Sequence, residues 1–588
     1  MNVMILMVVA LPLFVLAYLL YSRYIARQMG EDRSRQTPAV ALCDGRDYCP
    51  SRGWVVFAHH FASIAGAGPI IGPVAALMWG VGPVWLWIVL GGIFVGAVHD
   101  YTALFVSIRE KGHSIAEVVR ATLGTGPFLL MVGFIIMMLV LVTGCFLRLS
   151  AVALTSTVPL TALGLPPTQA LVQTVEKDGA VHGMIGGIAS TSVIVITLMA
   201  PLVGYLHYRR SANLALVSLL AIGACVLGVA VGLWLPVRMS IEQWTLALSA
   251  YTLVASAIPV WVLLQPRDFT NVFILYLGVG LLVAGAVATG LGGGQIQHPL
   301  WNPQEARGVG LGFLWPALFI TVACGAVSGF HALVAGGTVS KQVMSEPAAR
   351  QIGYGAMLLE SLLAVGVVCA IGFGLSHASY RQILYSGKAS NPVLAFALGM
   401  GELLKAGLGI PTFAGTIFGI LMVEGFIATS LDTAVRLTRY LLDEFWTTVC
   451  RTPPRLVRHP WFNSGIAVAL MLLFAWTNAF QAIWPLFGTA NQLLAAFTLI
   501  AVTAWLAARG RRVWFAAAPA VFMLVTTCAS LIILGLKYRR EHNWLLGVTD
   551  AVLIALTVCL LTWAVRCLIS GRKAAPSLAT EGERPSSP

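Results

Sequence analysis

Charge is what this 588-residue sequence has little of: Asp, Glu, Lys and Arg make up 10% of it, against 58% hydrophobic residues and a mean hydropathy of +0.85. That balance excludes a soluble globular protein of this length, whose surface would need far more charge. Three common catalytic signatures are also missing, the phosphate-cradling P-loop, H-E-x-x-H and G-x-S-x-G. The first apolar run follows Met1-Asn2 with no basic n-region before it and no small-residue cleavage site after it. It reads as a retained anchor with an outside N-terminus, not as a cleaved signal peptide. Most of the ten cysteines lie inside apolar runs, where they act as small apolar residues. Cys43 and Cys49, together with His59 and His60, offer four metal ligands, but in no standard zinc spacing, so no metal centre is expected.

What the sequence does have is apolar runs of spanning length, about fifteen of them, which predict an all-α polytopic membrane protein. Their approximate cores are 3–21, 54–78, 83–106, 127–150, 184–206, 213–236, 244–264, 271–291, 311–337, 353–376, 408–434, 464–480, 486–507, 513–536 and 544–569. The net charge of +13 raises the question of nucleic acid, and the distribution of the basic residues answers it. With Met1 outside, alternate loops and the tail carry 26 Lys and Arg against 10 on the opposite side. This is the positive-inside pattern of a chain whose basic residues orient helices, with a cytoplasmic C-terminus and no nucleic-acid partner. Lys537, Arg539 and Arg540 fall on the outer side and are the exception. The expected organisation is an anchor helix at 1–22, a cytoplasmic loop at 23–53, a transporter core at 54–435, a helical region at 464–570 and a polar, Pro- and Ser-rich disordered tail at 571–588.

Phe57 to Pro73, F-A-H-H-F-A-S-I-A-G-A-G-P-I-I-G-P, cannot continue as a regular helix, because Pro lacks the N–H and Gly loses the most entropy on ordering. Non-helical backbone at membrane depth is tolerated only where protein buries it or where it lines a cavity. Gly66, Gly68, Pro69 and Gly72 are therefore candidate substrate-binding positions, with half-helix N–H groups able to meet an anion. A Pro-kinked helix with glycines at a tight crossing is the plainer alternative. A second densely broken stretch, 311–337, carries Ser328 and His331 and joins the candidate substrate site. Pro259 is expected to kink the seventh span and Gln265-Pro266 to end it. That span lies five after the first break, which suggests an inverted five-plus-five repeat.

Ionisable groups within spans are the candidate proton-coupling residues: Glu360 and Glu424 deep in apolar runs, His59 and His60 before the break, and Asp100 about a turn inside a helix end. For Asp100 a helix-end pairing with Arg109 or Lys111 is the alternative, and for His331 a packing role. Asp432 is expected to pair with Arg436 one turn on. Ser114-x-x-Glu117 is a capping box opening a short surface helix. Thr489, Asn491 and Gln492 are interhelical hydrogen bonders or cavity lining.

D-G-R-D-Y-C-P at Asp44–Pro50, H-H-F-A-S-I-A-G-A-G-P-I-I-G-P at His59–Pro73, the H-D-Y ending at Tyr101 and L-L-Q-P-R-D at Leu263–Asp268 resemble motifs of the carbon starvation protein A family of bacterial inner-membrane transporters. The resemblance continues in A-C-G-A-V-S-G-F-H-A-L, G-T-V-S-K-Q, S-L-D-T-A-V-R and W-P-L-F-G-T-A-N-Q-L-L-A, reaching about residue 500. It implies a secondary active transporter, not an enzyme, taking up peptides or pyruvate during carbon starvation. It also implies symport with a proton as the coupling ion, no cofactor and a leucine-transporter-like inverted-repeat core. The partners implied are a small-molecule substrate and membrane lipid. A polytopic membrane metalloenzyme using His59, His60 and His331, or a transport-like nutrient sensor, are the rival readings.

The charge distribution makes one expectation directly measurable. Cysteines introduced into loops 107–126 and 435–463 should not react with an impermeant reagent added to spheroplasts; labelling of both would invert every side assignment above.

Overall fold

A computed structural model of the chain describes residues 1–44, 48–117, 120, 124–177, 179–206, 210, 213–259, 262–386, 390–450 and 452–569. Among the described residues twelve helices are long and apolar enough to cross a membrane, or up to 13 if the bent pair Gly53–Ile64 and Gly68–Trp79 counts as one span. The fifteen apolar cores all coincide with helical structure, but Ile241–Ala257 has 17 residues and Leu314–Gly337 is interrupted, so neither forms a single helix of spanning length. The only sheet among the described residues is a small antiparallel one, Val158–Pro159 pairing with Ala180–Gly183 and that strand with Thr174–Lys177. The capping box is formed: Ser114 N–H donates to Glu117 Oε2 and Glu117 N–H to Ser114 Oγ. Burial disfavours the Glu117 carboxylate, but hydrogen bonds from His113 and Ser114 outweigh it and bring its pKa down to about 2. The C-terminal tail lies outside the described residues.

Two broken spans cross at the centre of the bundle. In the first, the helix Gly53–Ile64 stops, Gly66 N–H turns back onto Ile64 C=O at 2.7 Å, and the chain resumes as Gly68–Ala76 with a bend of 44°. Pro69 sits in the first turn of the resumed helix, where its missing N–H costs nothing. The second runs Leu314–Thr321, Ala323–Ala326 and Phe330–Gly337, interrupted at Val327, which is fully extended. Their directions are opposite: Ser51 bridges to Val343 at one end of the bundle, and Asn302 N–H donates to Trp79 C=O at the other. Each leads through a short turn into a long helical stretch, Val81–Arg109 and Glu346–Gly374. The second break thus belongs to the ninth apolar core, not the seventh. The helix Ile241–Ala257 ends at Ile258, held extended by Pro259 after it, and Gln265-Pro266 lie in the first turn of Leu264–Leu291. Pro259 ends a helix where a kink was expected, and Gln265-Pro266 open one where an end was expected.

Glycine makes the crossing possible. A Cβ on Gly68 would lie 2.4 Å from Cys324 Sγ, one on Gly72 2.8 Å from Thr321 C=O, and one on Gly66 2.6 Å from Ser430 Oγ. None of the three has a positive φ, so close packing and not backbone conformation is what requires glycine there. The long helical stretches use the same device, with a Gly92 Cβ 2.3 Å from Ser361 Oγ and a Gly96 Cβ 2.2 Å from Ala326 C=O.

Breaking a helix frees backbone groups, and side chains from neighbouring helices take up those of the second span. Asn491, on Phe480–Ala507, accepts from Phe330 N–H at 2.9 Å through Oδ1 and donates to Ser328 Oγ at 3.1 Å through Nδ2, while its C=O accepts from Gly329 N–H. Ser361 donates to Gly325 C=O, Trp484 to Thr321 C=O and Gln492 to Phe319 C=O. In the first span Tyr380 and Tyr385 donate to Val74 and Ala75 C=O at 2.7 and 2.6 Å. No side chain caps the half-helix that starts at Gly68.

Gly68→Val should therefore destabilise the folded protein by roughly 1–3 kcal/mol or more, as overpacking does. Shortening the opposing side chain with Cys324→Gly should restore part of the loss in a thermal unfolding series; a Gly68→Val protein as stable as wild type would contradict this crossing.

Candidate functional site

Immediately beyond the second break, four ionisable side chains meet with no contact to solvent. His331 is the second residue of Phe330–Gly337, Asp100 the fourth of Ala97–Arg109, and Glu360 the fifth of Ala356–Gly374. Relative exposures are 0% for His99, 1% for Asp100, 0% for His331 and 0% for Glu360. His99 Nδ1 and His331 Nδ1 each lie 2.7 Å from a different oxygen of the Asp100 carboxylate, which accepts from both rings. With its Nδ1–H committed to Asp100, His331 points Nε2 at Glu360 Oε2, 3.4 Å away. Neither oxygen of Glu360 has a hydrogen-bond partner among the described residues.

His60, one turn before the first break, is buried with neither ring nitrogen partnered among the described residues, and lies within electrostatic range of Asp100 and His331. Cys324 Sγ, one of the His331 nitrogens and a Glu360 oxygen lie within 4.8 Å of one another, close enough for one ion as well as for a shared proton. No such group of ligands forms at Cys43, Cys49, His59 and His60 among the described residues.

Asp100 lies nine residues before the helix end at Arg109, about 13 Å inside it, not about a turn. It pairs with neither of the cations expected for it: Arg109 is bonded to Glu346 and to Gly30 C=O. His59 is exposed on the outer face of its helix and does not join the cluster. Glu424 is buried but stands apart, accepting from Ser150 Oγ at 2.6 Å, with no bond or ion pair to the cluster. Of the expected substrate-binding residues, His331 belongs to the cluster, Ser328 is tied to Asn491, and Gly66, Gly68, Pro69 and Gly72 are buried at the crossing.

The cluster contains two residues that were not among the expected site residues, His99, beside Asp100 in the H-D-Y run, and Cys324, whose only signal was a thiol one helical turn before Ser328.

A second buried charge group also escaped the sequence. Asp432 pairs with Arg267 at 2.8 Å and accepts from Tyr251 O–H at 2.8 Å, and Arg267 also donates to Tyr251. Arg436, the partner expected for Asp432, instead donates to Ala255 and Ile258 C=O, where the helix Ile241–Ala257 ends. The Arg267–Asp432 pair ties three helices together, with Arg267 Nε and Nη2 and Asp432 Oδ1 left without a hydrogen-bond partner among the described residues, whereas in the Asp100 cluster neither oxygen of Glu360 has one.

A family model described as carbon starvation protein CstA matches residues 2–389 and 383–530. The peptide transporter CstA of Campylobacter jejuni is 31% identical over 89% of this chain and 79% of its own length. In Escherichia coli the pyruvate/proton symporter BtsT is 31% identical, covering 90% of this chain and 81% of its own, and the peptide transporter CstA is 30% identical, covering 90% and 80%. Among solved structures, a manganese transporter of Eremococcus coleocola overlaps with a TM-score of 0.36 and 9% identity, over 91% of this chain and 99% of that one.

The Arg267–Asp432 pair offers a direct check on its structural role. Asp432→Ala, which strands a buried guanidinium, should lower stability by roughly 3–5 kcal/mol. The double replacement Arg267→Met with Asp432→Leu should cost less than the single one in the same unfolding assay.

Proposed function

We propose that this chain, which belongs to the carbon starvation protein CstA family, is a secondary active transporter that imports peptides or pyruvate together with a proton. The observation that carries the coupling is the bridge His331 makes between Asp100 and Glu360 at the crossing of the two broken spans. Asp100 holds His331 in one tautomer, so the free Nε2 and the unpartnered Glu360 carboxylate can share one proton between them. The names of the relatives in Escherichia coli support both substrate classes and a proton as the coupling ion.

Both substrates carry a carboxylate, and the uncapped half-helix starting at Gly68 supports a site for it. Pro69 has no N–H and the Ile70 and Ile71 N–H groups bond to Ala67 C=O, so the Gly68 N–H and the helix dipole, about half a charge, are what favour an anion there. His60, buried and unpartnered one turn earlier, adds a donor. Transport then proceeds by movement of the broken spans against one another: the first carries the carboxylate site and the second carries His331, so loading either changes the packing that the other senses. The protein is not an enzyme in this reading. It lies in the bacterial inner membrane with its N-terminus outside and its C-terminus in the cytoplasm, as the basic loops favour.

Proteoliposomes with an imposed pH gradient should accumulate pyruvate or short peptides. Glu360→Gln should cut gradient-driven uptake at least about tenfold while substrate counterflow persists. Wild-type accumulation and pH dependence in that variant would remove Glu360 from the coupling step. Transition-metal chelators should leave uptake unchanged; loss on chelation with recovery on adding metal would make Cys324, His331 and Glu360 an ion site instead.

A further inference from the structure

At the end of the bundle that carries Arg109 and Lys341, a cavity of about 220 Å³ is lined by Arg23, Ala26, Arg27, Glu31, Arg33 and Arg350. Four guanidinium groups face one carboxylate, and none of the four arginines has an acidic partner within 4.0 Å among the described residues. The other nearby acids are engaged or turned away. Glu346 is bonded to Arg109 and to Asp32 N–H, and Asp32 accepts from Ser34. Unpaired arginines around a common cavity are an anion site by their chemistry, since a planar guanidinium matches phosphate oxygens two at a time.

The cavity is also held in shape. The anchor helix ends at Met29, and Gly30, with φ of 75°, reverses the chain so that Glu31 and Arg33 return over Arg23 and Arg27. Arg109 fixes that turn by donating to Gly30 C=O at 2.7 Å. Arg350 lies over the Tyr18 ring with its charge 5.5 Å from the centroid and donates to Ser22 Oγ. A further cation stands at the rim, for a Cβ on Gly30 would lie 2.9 Å from Arg511 Nη2.

Its surroundings identify the source of the anion. Leu16, Leu19 and Leu20, the residues of the anchor helix just before the cavity, are exposed at 50%, 39% and 66%. Beside them Trp514, itself 53% exposed, donates to Tyr24 O–H, the aromatic signature of headgroup depth. We infer that this cavity binds the phosphate of an anionic phospholipid, with its acyl chains along the exposed leucines of the anchor helix.

The test uses the full-length protein purified in mild detergent, with bound lipid counted by native mass spectrometry and unfolding followed thermally. Phosphatidylglycerol or cardiolipin should bind and raise the melting temperature, and phosphatidylcholine should do neither. The double variant Arg23→Gln, Arg27→Gln should lose roughly tenfold or more of the phosphatidylglycerol affinity. Its melting temperature without added lipid should match wild type, which separates loss of a site from loss of fold. Equal binding of phosphatidylcholine, or full phosphatidylglycerol binding by the variant, would overturn the proposal. So would inorganic phosphate binding as tightly as the lipid, since the site would then serve a soluble anion. If the double variant fails to fold, Arg33→Gln alone should still reduce phosphatidylglycerol binding, and wild-type affinity in that variant would count against the site.

Discussion

Freed backbone groups at membrane depth have no water to turn to, and the centre of this protein is arranged around that constraint. Breaking the two spans would leave several N–H and C=O groups unmatched, each costing kcal/mol in an apolar surrounding. The bundle answers from neighbouring helices: Asn491 takes Phe330 N–H with its side chain and Gly329 N–H with its C=O, and the side chains of Ser361, Trp484 and Gln492 serve the carbonyls before the break. The first break is treated differently, with its later carbonyls capped by Tyr380 and Tyr385 and its half-helix N-terminus left uncapped.

Buried charge falls into two groups. Arg267, Asp432 and Tyr251 bond to one another as a pair of opposite charges with a shared hydroxyl, and Arg436 closes a helix end beside it. Such a group holds helices in register, and breaking it by halves is costly. The His99–Asp100–His331–Glu360 row is not closed. It ends in a carboxylate whose oxygens have no hydrogen bond, next to a ring nitrogen already oriented by its neighbour. A low-dielectric interior makes such an incomplete network unfavourable unless a proton or ligand completes it, which is why it reads as working machinery and not as packing.

The sequence made the first break legible because Gly and Pro act locally: five of them between Gly66 and Pro73 cannot all sit in one helix. Glu360 was legible for a related reason, a single carboxylate in a long apolar run. What fills the space of a missing side chain was not legible. Gly66, Gly68 and Gly72 suggested room for a ligand, yet Ser430, Cys324 and Thr321 come from distant parts of the sequence to occupy it. Partner choice failed likewise for Asp100 and Asp432, because a cation nearby along the same chain is an easier guess than one on another helix. His331 and Arg267 are the partners from other helices, and only the packing of the bundle brings them near. Pro259 and Pro266 were misjudged because a proline signals a helix boundary without saying on which side of it the helix lies.

Infrared difference spectroscopy on the purified transporter tests the central claim most directly, that Glu360 and His331 share a proton that substrate binding moves. Adding substrate should produce a change in the carboxylic-acid C=O stretch that is absent in Glu360→Gln and displaced in frequency in His331→Gln. A substrate-induced spectrum with no carboxylic-acid signal, or one unchanged in both variants, would contradict the account.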